Sequence, residues 1–370
     1  MITLLVFIII LAILIITHEL GHFAMAKKFG IRVDEFGFGF PPKIFGWKKG
    51  ETTYSLNLIP VGGFVKIYGE DPDEESTNGP DSGRSLVNKS RWVQAGVLVA
   101  GVTLNIVLAW LLISLNLSLG MPISLTDVPS GAKVTNAQLL VTNVLKNSPA
   151  EKAGLLAGDS LIKLTLNDDV LTNPEPETVK DFVNQYGDKN VAVTYLRKVN
   201  GVATTSVLTV VPKTGVVGNL PSIGIAMEKA GIVQMSWWQS LYYGAIFTYD
   251  LTRNTVIGFK YFVTSIFTDG SSALKAVSGP IGLFGMVGDA NRMGLVYLIN
   301  FMALISINLA VLNLLPFPAL DGGRLLFLAI EGIRNKRLNP KIANTLNLIG
   351  FGLLMLLMAV VAYSDIAKIF

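Results

Sequence analysis

Along the chain, long unbroken apolar runs alternate with stretches in which apolar and polar residues take turns. Crossing a hydrocarbon core of about 30 Å takes about 20 helical residues. Four runs meet that length: Met1 to about Ala26, Trp92 to about Leu119, Gly294 to Leu320, and Ile342 to Ser364. Between Gly30 and Lys66 the pattern shortens to alternation through Ile31, Val33, Phe36 and Phe38, then Thr53-Tyr54-Ser55-Leu56-Asn57-Leu58, closing on Pro60-Val61-Gly62-Gly63-Phe64. It predicts strands punctuated by glycine and proline turns. Phe36, Phe38, Phe40, Phe45 and Trp47 suggest a small sheet dipping into the membrane surface; an ordinary folded cytoplasmic loop with an aromatic core is the alternative. Glu70, Asp71, Asp73, Glu74 and Glu75 then open a polar, flexible linker to about Ser90.

From about Leu125 to Lys213 the pattern is that of a soluble domain. Strands are expected at Leu139 to Leu145 and Ser160 to Leu166, a short helix after Pro149, a helix from Glu175 to Tyr186, and a hairpin pairing Val191–Lys198 with Val202–Val211 across an Asn200-Gly201 turn. Ser236 to Phe267 is apolar but interrupted by Asp250, Arg253 and Lys260. Lys27 and Lys28 place the end of the first span in the cytoplasm, and Arg324, Arg334, Lys336, Arg337 and Lys341 do the same for the third. Nothing between the second and third spans can then make a net crossing. Residues 236–267 are therefore read as helices on the outer surface, anchored by Trp237, Trp238, Tyr242, Tyr243 and Tyr249, with a re-entrant pair or two short spans as the alternative.

Composition agrees: 51% of the 370 residues are hydrophobic and 15% charged, so the chain is a polytopic membrane protein. With no cysteine, disulfides, thiolate ligands and cysteine nucleophiles are excluded. The net charge of +4 is small and its cations flank apolar runs, which marks orientation and not nucleic-acid binding. The apolar start followed by Ala24-Met25-Ala26 imitates a signal peptide, but its cations follow the run where a signal peptide has them in front.

The chemistry sits at the end of the first run, in His18-Glu19-Leu20-Gly21-His22. On a helix, residues four apart share a face, so the chain's two histidines can offer both imidazoles to one metal with Glu19 beside them. Ionisable groups at membrane depth are costly and point to function. The cytoplasmic end of the third run carries Leu320-Asp321-Gly322-Gly323 at similar depth, so Asp321 can reach the pair. Two histidines and a carboxylate with one position left for water is the arrangement of catalytic zinc; alternatively Asp321 opens a turn or caps a helix. Asn105, inside the second run, must find a partner in the bundle or face an aqueous cavity.

H-E-L-G-H in the first span, N-L-L-P-F-P-A-L-D-G-G in the third, I-P-V-G-G-F-V-K at 59–66 and S-G-P-I-G at 278–282 resemble the site-2 protease family of intramembrane zinc metalloproteases, in its bacterial RseP-like branch. S-P-A-E-K-A-G-L at 148–155 resembles bacterial PDZ domains. The resemblance implies that His18, His22 and Asp321 hold Zn2+ and Glu19 is the general base. It further implies that Asn313, and more weakly Asn308, face the site as substrate-binding residues, the alternative being helix-to-helix hydrogen bonding. The sheet whose edge could pair with substrate carries Gly62 and Gly63. Two departures stand out. Gly101-Val102 replaces the G-P that usually precedes the family's second-span asparagine, so no role is carried to Asn105, and only one PDZ-like domain fits where well-known members have two.

The expected fold is thus a four-span α-helical membrane protein with a membrane-associated β-sheet insertion and an extracytoplasmic α+β PDZ-like domain. Its expected divisions are 1–26, first span with the histidine motif; 27–90, cytoplasmic or re-entrant β region and acidic linker; 91–119, second span; 120–214, PDZ-like domain; 215–293, extracytoplasmic amphipathic helices; 294–323, third span with the aspartate; 324–341, basic cytoplasmic loop; and 342–364, fourth span. Expected partners are the bilayer of a bacterial cell membrane, single-span substrates including ones already shortened by another protease, and a peptide or protein at the PDZ-like domain. The competing readings are a silent PDZ scaffold, against which Glu19 argues, and a metal transporter, against which the clustering of both motifs at one face argues.

Overall fold

The structure is a computed structural model describing residues 2–125, 128, 132–199, 202–269 and 279–369. Asn200-Gly201 and Ser278 lie outside the described residues. The chain divides into two compact units, one formed by Met1–Ile113, Gly244–Gly288 and Asn300–Phe370, the other by Ser114–Tyr243 and Asp289–Ile299.

Among the described residues four helices are long and apolar enough to cross a membrane: α1 (Ile2–Lys28), α3 (Arg91–Leu119), α8 (Leu295–Asn313) and α10 (Pro340–Ile369). Ile2, Leu4, Leu5 and Ile9 of α1, and Leu348, Phe351 and Leu356 of α10, are exposed apolar side chains, as lipid-facing positions should be. The third helix departs from expectation, ending at Asn313 and not near 323. Pro316 and Pro318 have no N–H to continue the ladder, so the chain turns and restarts as α9 (Asp321–Arg334), which occupies much of the expected basic loop.

Between the first two spans, β1 (Val33–Lys49) and β2 (Thr52–Ile67) form the expected sheet. Residues in the first part of β1 have partners on both sides: Phe36 faces Val65 and Tyr54, and Gly37 faces Phe64 and Ser55. Each long strand therefore folds back on itself, leaving the 62–67 stretch at one border. Buried Ala26, Ile31, Val33, Val65, Ile67, Leu86 and Val97 fasten this sheet to the ends of α1 and α3. Away from that anchor Ile44, Phe45, Trp47 and Leu58 are more than half exposed. The acidic linker is more structured than its composition suggests. Asp73 caps the short α2 (Glu74–Asn78) in a capping box, and Arg32 ties Asp34 at 2.8 Å and Asp81 at 2.7 Å.

The other unit centres on an antiparallel sheet of β3 (Met121–Ser124), β4 (Lys133–Val144), β5 (Ser160–Leu166), β6 (Asp169–Thr172), β7 (Val191–Val199), β8 (Val202–Val210) and β11 (Ile225–Gln234), ordered β3-β11-β4-β5-β7-β8 with β6 on β5. The helices α4 (Pro149–Ala153) and α5 (Pro176–Gln185) accompany it, and β9 (Lys213–Val217) pairs with β10 (Leu220–Ser222). The core is Leu139, Val141, Leu155, Leu161, Leu164, Val179, Val193 and their neighbours. β11, which begins beyond the expected boundary at 214, sits inside the sheet, paired along β4, so the sheet includes residues to Gln234. Beyond it, α6 (Trp237–Asp269) is one continuous helix, and α7 (Pro280–Met293) follows. Phe284 of α7 meets Phe7 of α1 edge-on at 5.7 Å.

Candidate metal centre

The 3.6-residue period stacks His18 and His22 on one face of α1, their rings T-shaped at 4.8 Å between centroids. Both are buried. The helix opposite, α3, is admitted at backbone distance because neither crossing residue has a side chain. A Cβ on Gly21 would overlap the Ala100 carbonyl, and one on Gly101 would overlap the His22 ring and stand 2.8 Å from Cε1 of His18. At this crossing the Val97 carbonyl takes a hydrogen bond from Nδ1 of His22 at 2.9 Å. The Asn105 amide lies 3.4 Å from Nδ1 of His18.

Asp321 arrives as the first residue of α9. The turn before it folds so tightly over this helix that a Cβ on Gly322 would overlap the Leu314 and Leu315 carbonyls, and one on Gly323 the Phe317 carbonyl. Glycines are therefore required here. Ala319 takes a left-handed φ of 75° in this turn, and its N–H reaches Oδ1 of Asn347 at 3.2 Å.

The three candidate ligand atoms converge. Oδ2 of Asp321 lies 3.1 Å from Nε2 of His18 and 3.3 Å from Nε2 of His22, and the two Nε2 atoms are 3.2 Å apart. Tetrahedral ligands about 2.0–2.1 Å from zinc stand roughly 3.3 Å from one another. The edges of this triangle match. His22 gives its ring hydrogen to Val97, which leaves Nε2 a lone pair, and buried Oδ2 of Asp321 has no hydrogen-bond donor among the described residues. Such a meeting of acceptors is repulsive unless a cation lies among them, so the donor set fits zinc.

Beside the triangle is a cleft of about 270 Å³ lined by Ile15, Glu19, Gly62, Gly63, Leu309 and Asn313. Nδ2 of Asn313 is 3.3 Å from Nε2 of His18. Gly62 holds a left-handed φ of 94°, and a Cβ on Gly63 would stand 3.2 Å from Cγ of Glu19. Asn308 is elsewhere: its Oδ1 accepts from the Thr255 hydroxyl of α6 at 3.3 Å. Near Asp321 in sequence, Arg324 pairs with Glu70 and reaches Asp71 at 3.3 Å. Burial pushes the Glu70 carboxyl above the ordinary range while the Arg324 guanidinium pulls it down. Sequence reasoning named Gly21 and Gly101 without giving either a role, missed the Val97 carbonyl, which no motif announces, and flagged Asn105 only as a polar residue needing a partner.

A family model described as "Peptidase family M50" matches residues 6–357. A candidate zinc metalloprotease of Clostridium perfringens is 36% identical over 360 residues, covering 95% of each chain. The regulator of sigma-W protease RasP of Bacillus subtilis is 30% identical over 444 residues, covering 100% of this chain and 99% of its own. The zinc metalloprotease RasP of Shouchella clausii is 30% identical over 451 residues with the same coverage.

Proposed function

The chain belongs to peptidase family M50 and is an intramembrane zinc metalloprotease of the site-2 protease kind; from that premise we propose that His18, His22 and Asp321 hold the zinc, that Glu19 is its general base, and that the substrates are single-span membrane proteins cut within or near the span. The observation that carries the assignment is the triangle of 3.1, 3.2 and 3.3 Å edges among one carboxylate and two imidazole atoms. Bound there, zinc supplies a Lewis acid that polarises a scissile carbonyl and makes water acidic near neutrality.

Glu19, one residue from His18 and lining the cleft, would accept a proton on its carboxylate from the attacking water and return it to the leaving amine. Asn313 offers an amide to the substrate backbone at the cleft wall. A helical substrate keeps its amides in i to i+4 bonds and must unwind before attack. The border stretch at Gly62 and Gly63, paired with β1 on one side and lining the cleft, supports strand addition that would offset the lost bonds. Exposed Ile44, Phe45, Trp47 and Leu58 fit a sheet tip resting in the bilayer surface.

In the orientation proposed, Lys27, Lys28 and the basic residues of α9 face the cytoplasm, and the domain of 120–234 lies outside the cell. Exposed Trp237, Trp238, Tyr242 and Tyr249 of α6 fit an interfacial belt. The domain reads as a PDZ-like module. Its β11 pairs with β3 at 230–233 and Leu125 binds the Lys229 carbonyl; among the described residues the edge at 225–228 has no strand on that side, and a groove of about 330 Å³ is lined by Val179, Val183, Ile223, Ile225 and Met227. An extended peptide could add to that edge and so gate or select substrates. One relative's name, regulator of sigma-W protease, supports regulatory proteins such as anti-sigma factors as substrates, beside remnant signal peptides.

The test is cleavage of a model single-span substrate by detergent-purified protein, with zinc content measured in parallel. Wild type should cut within the span, Glu19→Gln should hold zinc without cutting, and a chelator should abolish both. Turnover by Glu19→Gln would overturn the general-base assignment, and a zinc-free wild type the ligand set.

A further inference from the structure

His18 can give a lone pair on Nε2 to a cation only if its ring hydrogen sits on Nδ1, and that hydrogen, buried, needs an acceptor. His22 meets the same requirement through the Val97 carbonyl at 2.9 Å. For His18 the group at hand is the fully buried side chain of Asn105, on the α3 face that crosses α1. Its nitrogen end is turned toward Nδ1 at 3.4 Å, and its oxygen end is buried with no hydrogen-bond partner among the described residues.

The two ends of a carboxamide have nearly the same shape, so a half-turn about its last torsion exchanges them without disturbing the packing. The backbone stays put, because the Asn105 carbonyl is held independently by the Ser306 hydroxyl at 2.8 Å. With the oxygen inward, the orphaned Oδ1 gains a donor and the Nδ1 hydrogen gains an acceptor. We propose that Asn105 is the positioning residue of His18: its Oδ1 accepts the Nδ1 hydrogen and so fixes the ring in the tautomer and orientation that present Nε2 to the metal. The inference rests on the zinc reading and extends it to a residue that neither motif contains.

The test is the zinc dissociation constant of the full chain, measured by competition with a chelating dye, for wild type, Asn105→Leu, Asn105→Asp and Ser306→Ala. Removing such a partner costs about 10–100-fold in metal affinity, and Asn105→Leu should show that loss. Asn105→Asp, an acceptor at both ends, should stay close to wild type, and Ser306→Ala, which touches only the backbone of Asn105, should leave affinity unchanged. Asn105→Leu binding as tightly as wild type, or Asn105→Asp binding as weakly as Asn105→Leu, would overturn the proposal. Should one substitution prevent folding, the other decides against wild type. A wild type that binds no zinc would instead overturn the metal centre itself, a separate result.

Discussion

Gly101→Ala tests whether the crossing of α1 and α3 sets the geometry of the metal site. The added methyl carbon would overlap the His22 imidazole, standing 2.7 Å from its Cε1 and 2.8 Å from Cε1 of His18. Carbon atoms in contact settle about 3.5–4.0 Å apart, so the two rings must retreat by about 1 Å. Metal sites tolerate deviations of about 0.2 Å in ligand distance, and a misplacement of about 1 Å at a reacting centre costs about 10²-fold. The expected fall in kcat/KM is therefore about 10²-fold, or about 2.7 kcal/mol of barrier, with zinc content reduced. Fold stability should change less, because overpacking costs about 1–3 kcal/mol while alanine in place of glycine returns about 1 kcal/mol of helix propensity. The control is Gly96→Ala on the same helix, where the nearest atom to a new Cβ is Cε2 of Phe29 at 3.8 Å, an ordinary contact. The assay is substrate cleavage in detergent with zinc quantified on the same samples. If Gly101→Ala kept the zinc content and turnover of Gly96→Ala, the reasoning from close helix approach would be refuted.

Arg197→Met leaves Asp159, which is 1% exposed, without the guanidinium that holds it at 2.6 Å; a loss of up to about 3 kcal/mol should appear as a lower thermal midpoint of the full chain. Lys27, at 2.5 Å, and Arg84, at 2.7 Å, hold the Glu51 carboxyl below the usual range, so this contribution is complete above the unfolded glutamate's pKa and fades as pH falls through the folded one. Its size, in a partly exposed pair, is below about 1 kcal/mol; Glu51→Gln should flatten the acid limb of thermal stability between about pH 5 and pH 3, and an unchanged limb would count against the ion pair. In the domain that holds the β3–β11 sheet, Val183→Glu should abolish capture of extended peptides while leaving cleavage of a bare transmembrane substrate intact, as read by fluorescence anisotropy and the cleavage assay; undiminished peptide binding would count against the groove.

Much of this protein is legible from pattern alone. Apolar runs announce four helices long and apolar enough to cross a membrane because water-free surroundings allow few structures, and H-E-L-G-H announces the proposed ligand pair and base because helical spacing is fixed. Strands such as Ser160–Leu166 follow from alternation around a single core. The β11 strand escaped notice because Ala226, Ala230 and Gly231 give weak alternation, and its place is set by pairing with β4, far away in the chain. That Asp321 opens a new helix was decided by Pro316 and Pro318 and by glycines seated against carbonyls, a fit local propensity does not encode. Asn308 and Asn313 read alike in sequence, yet the helix turns one to Thr255 and the other to His18. The crossing at Gly21 and Gly101 brings Val97 and Asn105 to the histidines, and only tertiary packing could decide that, since it depends on two backbones meeting where neither carries a side chain.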